Sequence, residues 1–471
     1  MSLVSVVFLF GFLPIVVIGT HLLRDFVSAK AAQAWILGAS LVFYAGGSVR
    51  FLPLLLASAA FNWGVGRALS SPRYAQPTRK RIMIFGLTVD VLVLCVAKYT
   101  NFIVGIFGGG RVAHWAFPLG ISFFTIAQVM YLVDAYERLI PASSAFDHFT
   151  FASFFPNVTA GPLERVKHFV GQLNDIGGQD GRDERLARGI ALMAIGLFKK
   201  AVIADSFARV ADAGYANVAT LSIAGAWLTS LAYTFQLYFD FSGYSDLAIG
   251  AARLLGIRLV NNFNAPYRSR TMSEYWQRWH ISLSNFITTY LYTPIIRSMG
   301  RGRVTVHKAC VASLLAMTIA GFWHGPAWTF VLWGTLQGAG IAAYQYWKRL
   351  KRPMPDVAAT IVTFLFINLT MVVFRSPSVP TALTLAGRLV YAPEVLGVGT
   401  VLNAIPSAAI RLIALPIAFG GVVAFAGPTS SELVEGFQLR RRAAAGVAVA
   451  VAVSVAFIVA GTGSDFVYRA F

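Results

Sequence analysis

The run Lys308-Ala-Cys-Val-Ala-Ser-Leu-Leu-Ala-Met-Thr-Ile-Ala-Gly-Phe-Trp-His324-Gly-Pro-Ala-Trp-Thr-Phe-Val-Leu-Trp-Gly-Thr-Leu-Gln-Gly-Ala-Gly-Ile-Ala-Ala-Tyr-Gln-Tyr-Trp-Lys348 decides the fold class. No Asp, Glu, Lys or Arg lies between its terminal lysines, and Gly325-Pro326 breaks it near the middle. Such a stretch predicts a helical hairpin whose arms each match a hydrocarbon core of about 30 Å. Both flanks are basic, which assigns them to the cytoplasmic side and the turn to the outside. His324 is the one side chain in the run that titrates near neutral pH. It stands sixteen residues beyond Lys308, or about 24 Å of helix, and so slightly inside the outer surface.

The rest of the chain has the same character. Of its 471 residues 57% are hydrophobic and only 13% are charged, and the mean hydropathy is +0.65. A soluble chain of this length would suggest about three domains; these values describe one embedded in lipid. Lys and Arg number 39 against 20 Asp and Glu, a net charge of +19. Nucleic-acid binding needs a solvated basic face. Here the cations sit in short clusters between apolar runs, so the excess reads as cytoplasmic loop ends, and no nucleic-acid partner is expected. Cys95 and Cys310 each lie inside an apolar run, which suits neither a disulfide framework nor a zinc cluster. No phosphate-cradling glycine loop and no pair of histidines at metal-ligand spacing is present, so no metal is expected.

Uncharged runs place spans near 3–22, 32–48, 51–69, 82–107, 114–136, 188–211, 221–255, 307–324, 326–347, 357–376, 407–427 and 443–461. The expectation is an all-α polytopic membrane protein of about 11–12 transmembrane helices, forming a single integral domain over 1–471. The first span has no basic residue before it and no small-residue cleavage site after it, and reads as retained. Arg24 and Lys30 follow it, which puts the N-terminus outside, in the periplasm. Arg79-Lys80-Arg81, the polar stretch 164–188 and the cluster Lys348 to Arg352 are assigned to the cytoplasm.

Two segments depart from this pattern. Phe151 to Pro162 is apolar but too short to cross, and Pro156 with Gly161-Pro162 interrupts any helix; it reads as re-entrant, its backbone satisfied by surrounding protein or a wet cavity. Thr271 to Pro294 opens with Thr271-Met-Ser-Glu274, a capping-box pattern. It then repeats Trp276, Trp279, Leu283, Phe286 and Tyr290 at three- and four-residue steps, an amphipathic helix in or near the interface.

Ionisable residues inside apolar sequence mark functional candidates. Two readings of His324 stay open: a cap on the broken turn among Phe322, Trp323 and Trp328, or a general base for a sugar or lipid hydroxyl. His280, four residues after Trp276, falls on the aromatic face of the amphipathic helix, where it is a packed interfacial histidine or a second functional one. His21, His148, His168 and His307 fit solvated boundaries, and His114 a loop end. Asp240 and Asp246 interrupt a long span at a spacing that puts them on different helical faces, which argues against a paired acid and base. Gly243 between them suggests a local unwinding. Asp90 and Lys98, two turns apart, suggest mutual neutralisation, and Asp134 an interfacial site.

Taken together, Phe117-Pro-Leu-Gly-Ile-Ser-Phe-Phe-Thr125, Phe155-Pro-Asn-Val-Thr-Ala-Gly-Pro162, Tyr238-Phe-Asp-Phe-Ser-Gly-Tyr-Ser-Asp246, Asn262-Phe-Asn-Ala-Pro-Tyr267, Trp276-Gln-Arg-Trp-His-Ile-Ser-Leu-Ser284, Gly321-Phe-Trp-His-Gly325 and Phe374-Arg375 resemble the membrane-bound O-acyltransferases. The resemblance lies with their bacterial branch of alginate O-acetyltransferases and teichoic acid D-alanyl transfer proteins, and covers about 117–375. It implies a ring of tilted helices around a thinned centre, with His324 as the essential intramembrane histidine and His280 as the second, cytoplasm-facing one. Thr288-Thr289 and Gln337 depart from the pattern, similar proteins often carrying an Arg-Asp pair and a histidine there.

What the resemblance implies is transfer of an acyl group, acetyl first, from a cytoplasmic thioester such as acetyl-CoA to a hydroxyl outside. No bound cofactor is implied. The implied partners are a periplasmic acyl-accepting protein, an exopolysaccharide such as alginate, and the lipid of a bacterial inner membrane. Gln128, Asn157, Tyr238, Asp240, Ser242, Asn264, Trp276 and Trp323 are expected along the donor passage, with Arg278 and His280 nearer its cytoplasmic mouth, where Arg268 and Arg270 also fit an anionic donor. The rival reading is a transporter or polymer exporter using Asp240, Asp246 and His324 as a proton relay; that class tends to carry paired internal repeats, which this sequence lacks.

Overall fold

The computed structural model describes residues 2–110, 112, 118–300, 302–392, 398–438, 440–460 and 466–467. His114 and Phe117, the first residue of one motif, lie outside them. The described residues contain helices and no strand.

Each of the spans expected from the sequence has a helix over most of its length, the 114–136 span from Ile121 onward; residues 114–117 and 461 lie outside the described ones. The chain begins with α1 (Leu13–Phe26), α2 (Ala29–Ser48), α3 (Leu52–Ser70), α4 (Gln76–Ile106) and α5 (Ile121–Tyr136). The short α6 (Ala145–Ser153) and α7 (Val166–Val170) flank the non-helical Phe154–Arg165 stretch. A long antiparallel pair follows: α8 (Arg182–Phe198) runs through a π-turn at Lys199–Ala204 into α9 (Asp205–Tyr215), and α10 (Ile223–Leu254) returns along it. Then come α11 (Met272–Arg278), α12 (Ile281–Phe286), α13 (Thr293–Ser298), the hairpin α14 (Val306–His324) and α15 (Trp328–Arg349), and α16 (Asp356–Arg375). The C-terminal part adds α17 (Val379–Arg388), α18 (Gly399–Asn403), α19 (Ser407–Ala426), α20 (Ser430–Glu435) and α21 (Arg441–Val459).

Among the described residues seven helical stretches are long and apolar enough to cross a membrane, including α4, α14, α16 and α21. Their outward faces carry Ile15, Ile18 and Leu22 on α1 and Ile84, Leu92 and Val96 on α4, all exposed, as expected where lipid replaces water. The chain is a multi-pass membrane protein.

Helix α10 is buried along almost its whole length and is the axis of the fold. It is continuous through Gly243, so the expected unwinding does not occur. Gly243 serves close approach instead: a Cβ there would lie 2.7 Å from the carbonyl oxygen of Gly196 on α8, and one on Gly196 would lie 2.6 Å from that of Gly243. Without a hydrophobic drive between helices in lipid, such small-residue contacts let backbones gain dispersion energy. The segment 154–162 is buried except for a half-buried Asn157. Its amides are turned onto protein, Phe155 N donating to Ser40 Oγ at 3.2 Å, which meets the condition for irregular backbone at membrane depth.

The end of α1 meets the polar 164–188 stretch. Arg182 clasps Asp25 through two nitrogens at 2.6 Å, and His21 Nε2 lies 3.1 Å from the carbonyl oxygen of Leu254. This joins the ends of α1 and α10 to the start of α8.

Candidate active site

Helix α14 ends at His324, where Gly325 adopts an extended backbone and the chain reverses into α15. The hairpin packs as closely as helices allow, since a Cβ on Gly321 would fall 2.4 Å from the carbonyl oxygen of Phe330. Four carbonyls at a helix C-terminus have no intrahelical donor, and here the last three, those of Phe322, Trp323 and His324, are satisfied from α4. Lys98 Nζ donates to the carbonyl oxygens of Trp323 at 2.7 Å and His324 at 2.9 Å, and to Ser122 Oγ at 3.1 Å. Tyr99 Oη donates to the carbonyl oxygen of Phe322 at 2.6 Å. An ammonium has three protons, and all three are used. Lys98 is therefore not neutralised by Asp90, as the sequence suggested; Asp90 accepts from Asn62 Nδ2 at 2.8 Å. A cation at a helix C-terminus also meets the negative end of the macrodipole.

The His324 ring is buried, 2% exposed, in an aromatic box. Trp323, Trp333 and Phe374 stand edge-on at centroid distances of 4.9, 5.0 and 5.4 Å.

The amphipathic segment is not one helix. α11 stops at Arg278, His280 takes φ 43° and ψ 54°, and α12 begins at Ile281. A non-glycine residue in the left-handed region costs roughly 1–3 kcal/mol and persists only where its surroundings over-determine it. Asn262 does so. Its carbonyl oxygen accepts from Ile281 N at 2.9 Å, and its Oδ1 from Ser282 N at 3.2 Å and Ser282 Oγ at 2.9 Å. His280 Nδ1 lies 3.1 Å from the same Oδ1. With Oδ1 fixed as acceptor, Nδ1 is assigned the proton and Nε2 the lone pair. The ring is edge-on to Phe241 at 4.6 Å.

Thr271 caps α11 as expected, accepting from Glu274 N at 3.0 Å. The box is not closed, because Glu274 Oε2 reaches one residue further back, to Arg270 N at 2.8 Å. Trp276 donates from Nε1 to Gln337 Oε1 at 3.2 Å, and Gln337 Nε2 to Thr370 Oγ1 at 2.8 Å. Gln337, one of the two departures noted in the sequence, thus has both amide ends satisfied. Trp276 also contacts Trp333 and lines a cavity of about 230 Å³ with Gln277, Asn285 and Met317. Met317 precedes His324 by seven residues, roughly 10 Å along α14, so the cavity, Trp276, Trp333 and His324 form a row.

Several candidates stand elsewhere. Asp240 is sequestered: Lys200 Nζ, on the π-turn after α8, bridges it at 2.8 Å and Asp205 at 2.7 Å, and Val467 N donates to its other oxygen at 2.8 Å. Asp246 pairs with Lys199 at 2.8 Å and accepts from Ser430 Oγ at 2.7 Å. The adjacent lysines are what make two carboxylates on different faces tolerable; the sequence reading overlooked them. Ser430 is presented by a closed capping box, where the backbone amide and then the hydroxyl of Thr429 hold the Glu432 carboxyl below the usual carboxylate range. Tyr238 packs against Tyr267 at 5.2 Å. Arg278 is engaged by Glu274 at 2.9 Å and by the carbonyl oxygen of the exposed Asn264. Gln128 and Ser242 are buried, with no side-chain partner among the described residues. Trp323 reaches the carbonyl oxygen of Ser122 at 3.4 Å. Asp134 is buried, not interfacial, between Arg165 at 2.7 Å and Tyr290 Oη at 2.7 Å. His148 is buried against Tyr131 at 4.4 Å and not solvated.

The family model of MBOAT, the membrane-bound O-acyltransferase family, matches residues 80–376, a stretch that contains both histidines and the row between them. The chain belongs to the membrane-bound O-acyltransferase family. A peptidoglycan O-acetyltransferase of Helicobacter pylori is 38% identical over 412 residues, covering 80% of this chain and 77% of that one. A probable alginate O-acetylase of Azotobacter vinelandii is 36% identical over 393 residues, covering 80% and 76%. A teichoic acid D-alanyltransferase of Streptococcus thermophilus is 29% identical over 247 residues, covering 50% and 58%. This MBOAT chain is thus an O-acyltransferase, and the exporter reading falls away. The MBOAT match begins at Lys80, so Lys98, the cation beneath His324, belongs to the shared region.

Proposed function

We propose that this MBOAT chain moves an acetyl group from a cytoplasmic thioester, acetyl-CoA, to a hydroxyl of a glycan polymer beyond a bacterial inner membrane whose outer side holds the N-terminus. The observation that carries the mechanism is the row from the 230 Å³ cavity through Trp276 and Trp333 to His324. His324 takes the proton of the acceptor hydroxyl as its oxygen attacks the thioester carbonyl. The carbon–sulfur bond breaks, and the thiolate leaves with a proton returned from the imidazolium. General-base assistance of this kind contributes about 10²–10⁴-fold. His280, held by Asn262, stands on the donor side as a residue that positions the thioester. Gln128, Asn157, Ser242, Tyr238 and Trp323 contribute the walls of the passage, and Arg278 with Asn264 its mouth. Asp240 is assigned to the scaffold. Direct transfer is favoured over a covalent enzyme intermediate because no serine or cysteine in a nucleophile motif stands out in the sequence.

The relatives' names point to alginate and to peptidoglycan as acceptors; a periplasmic acyl-accepting protein is the relay we propose. The test is label transfer from radioactive acetyl-CoA by purified protein in vesicles, with alginate, peptidoglycan fragments or a periplasmic extract outside. Label on a glycan or on a protein carrier is expected. Label remaining wholly on coenzyme A, with the acceptors present and the protein folded, would contradict the reading.

A further inference from the structure

Where α15 ends and α16 begins, a second and larger cavity of about 740 Å³ opens away from the histidines. Its wall is apolar, formed by Met272, Ala343, Trp347, Val362 and Phe366. Its rim carries four cations, Arg270, Lys348, Lys351 and Arg352, against one carboxylate, Asp356, a balance of 4 − 1 = +3. Arg270 takes that carboxylate at 3.0 Å, so three cations remain without a counter-ion among the lining residues. The backbone arranges them: Lys351 adopts φ 51° just after α15, a left-handed turn that keeps Lys348, Lys351 and Arg352 on one rim.

The surroundings identify the occupant. The wall residue Val362 is 55% exposed, and Val357 and Ile361 beside it on α16 are exposed as well. α16 is one of the helices apolar enough to cross a membrane. The mouth therefore opens sideways into lipid, at the depth where a basic helix end meets headgroups. The volume lies in the range of small-molecule sites. An apolar wall below three uncompensated cations suits a phosphate on an acyl chain. Juxtamembrane Lys and Arg attract anionic lipid in just this way.

We propose that this cavity binds one anionic phospholipid, its phosphate among Lys348, Lys351 and Arg352 and an acyl chain along Met272, Ala343 and Phe366. The test is native mass spectrometry of the full chain in detergent with phosphatidylglycerol or phosphatidylcholine. One retained phosphatidylglycerol per chain is expected, with phosphatidylcholine at least tenfold weaker. The triple variant K348Q/K351Q/R352Q lowers retention by about fivefold per charge removed. Ala343→Trp keeps every charge and fills the wall; it too loses the lipid, which separates a site from a generally basic surface. Equal retention of both lipids, or unchanged phosphatidylglycerol in Ala343→Trp, would overturn the proposal. So would displacement of the lipid by coenzyme A or by inorganic phosphate at millimolar concentration, which would assign the rim to a soluble phosphate.

Discussion

The turn at His324 and the junction of α8 with α10 both bury charge inside the membrane protein, and they do so in opposite ways. At the junction every charge is met by another: Lys200 between Asp205 and Asp240, Lys199 against Asp246. At the turn no carboxylate is used. The buried ammonium of Lys98 holds only main-chain and hydroxyl oxygens, and the imidazole it underpins faces aromatic rings. Opposite charges that close on each other make a scaffold. The role proposed for the ring at the turn is chemistry on a substrate. Asp240 and His324 both stood out from the apolar sequence around them, and only their partners tell them apart.

Four substitutions bear on that contrast. His324→Ala in folded protein is expected to lower acyl transfer by about 10²–10⁴-fold, measured as label transfer per folded molecule. Lys98→Met, which removes the ammonium from the carbonyl of His324 and leaves that of Trp323 with Tyr99 alone, should lower kcat by about 10²-fold with a smaller change in KM, as misplacing a catalytic group does. Asp240→Asn breaks the buried pair from one side and should cost about 3–5 kcal/mol of stability, read as a lower Tm, while turnover by the protein that stays folded changes only several-fold. Thr271→Ala removes the cap of α11, at about 1 kcal/mol, and should shift thermal unfolding slightly with transfer retained. If Asp240→Asn silenced a stable protein, or Lys98→Met only lowered Tm, the contrast between site and scaffold would fail.

How much of this was legible depended on the range of the interaction. The spans and the hairpin broken at Gly325-Pro326, with His324 at its turn, follow from hydropathy and the position of the helix breakers, both local properties. So does the cap at Thr271, where the hydroxyl and its amide are three residues apart. The break at His280 was not legible, because helical periodicity continues across it. What imposes the left-handed turn is Asn262, eighteen residues away and in contact only after folding. The same holds for Lys98, whose partners on α14 lie more than two hundred residues on. Sequence proximity offered Asp90 instead. Gly243 looked like a weak point in a helix because its partner Gly196 sits on another one. Lys199 and Lys200 fall in the middle of the expected span 188–211, where hydropathy alone hides them, and a π-turn directs them inward.

The most direct test sets the two regions side by side: acetyl transfer from labelled acetyl-CoA per folded molecule, for His324→Ala and Asp240→Asn in the same vesicles. The account predicts that the histidine variant falls at least about 10²-fold below the aspartate variant, although the aspartate variant is the less stable of the two. Equal activities, or an aspartate variant that is folded but inert, would contradict it.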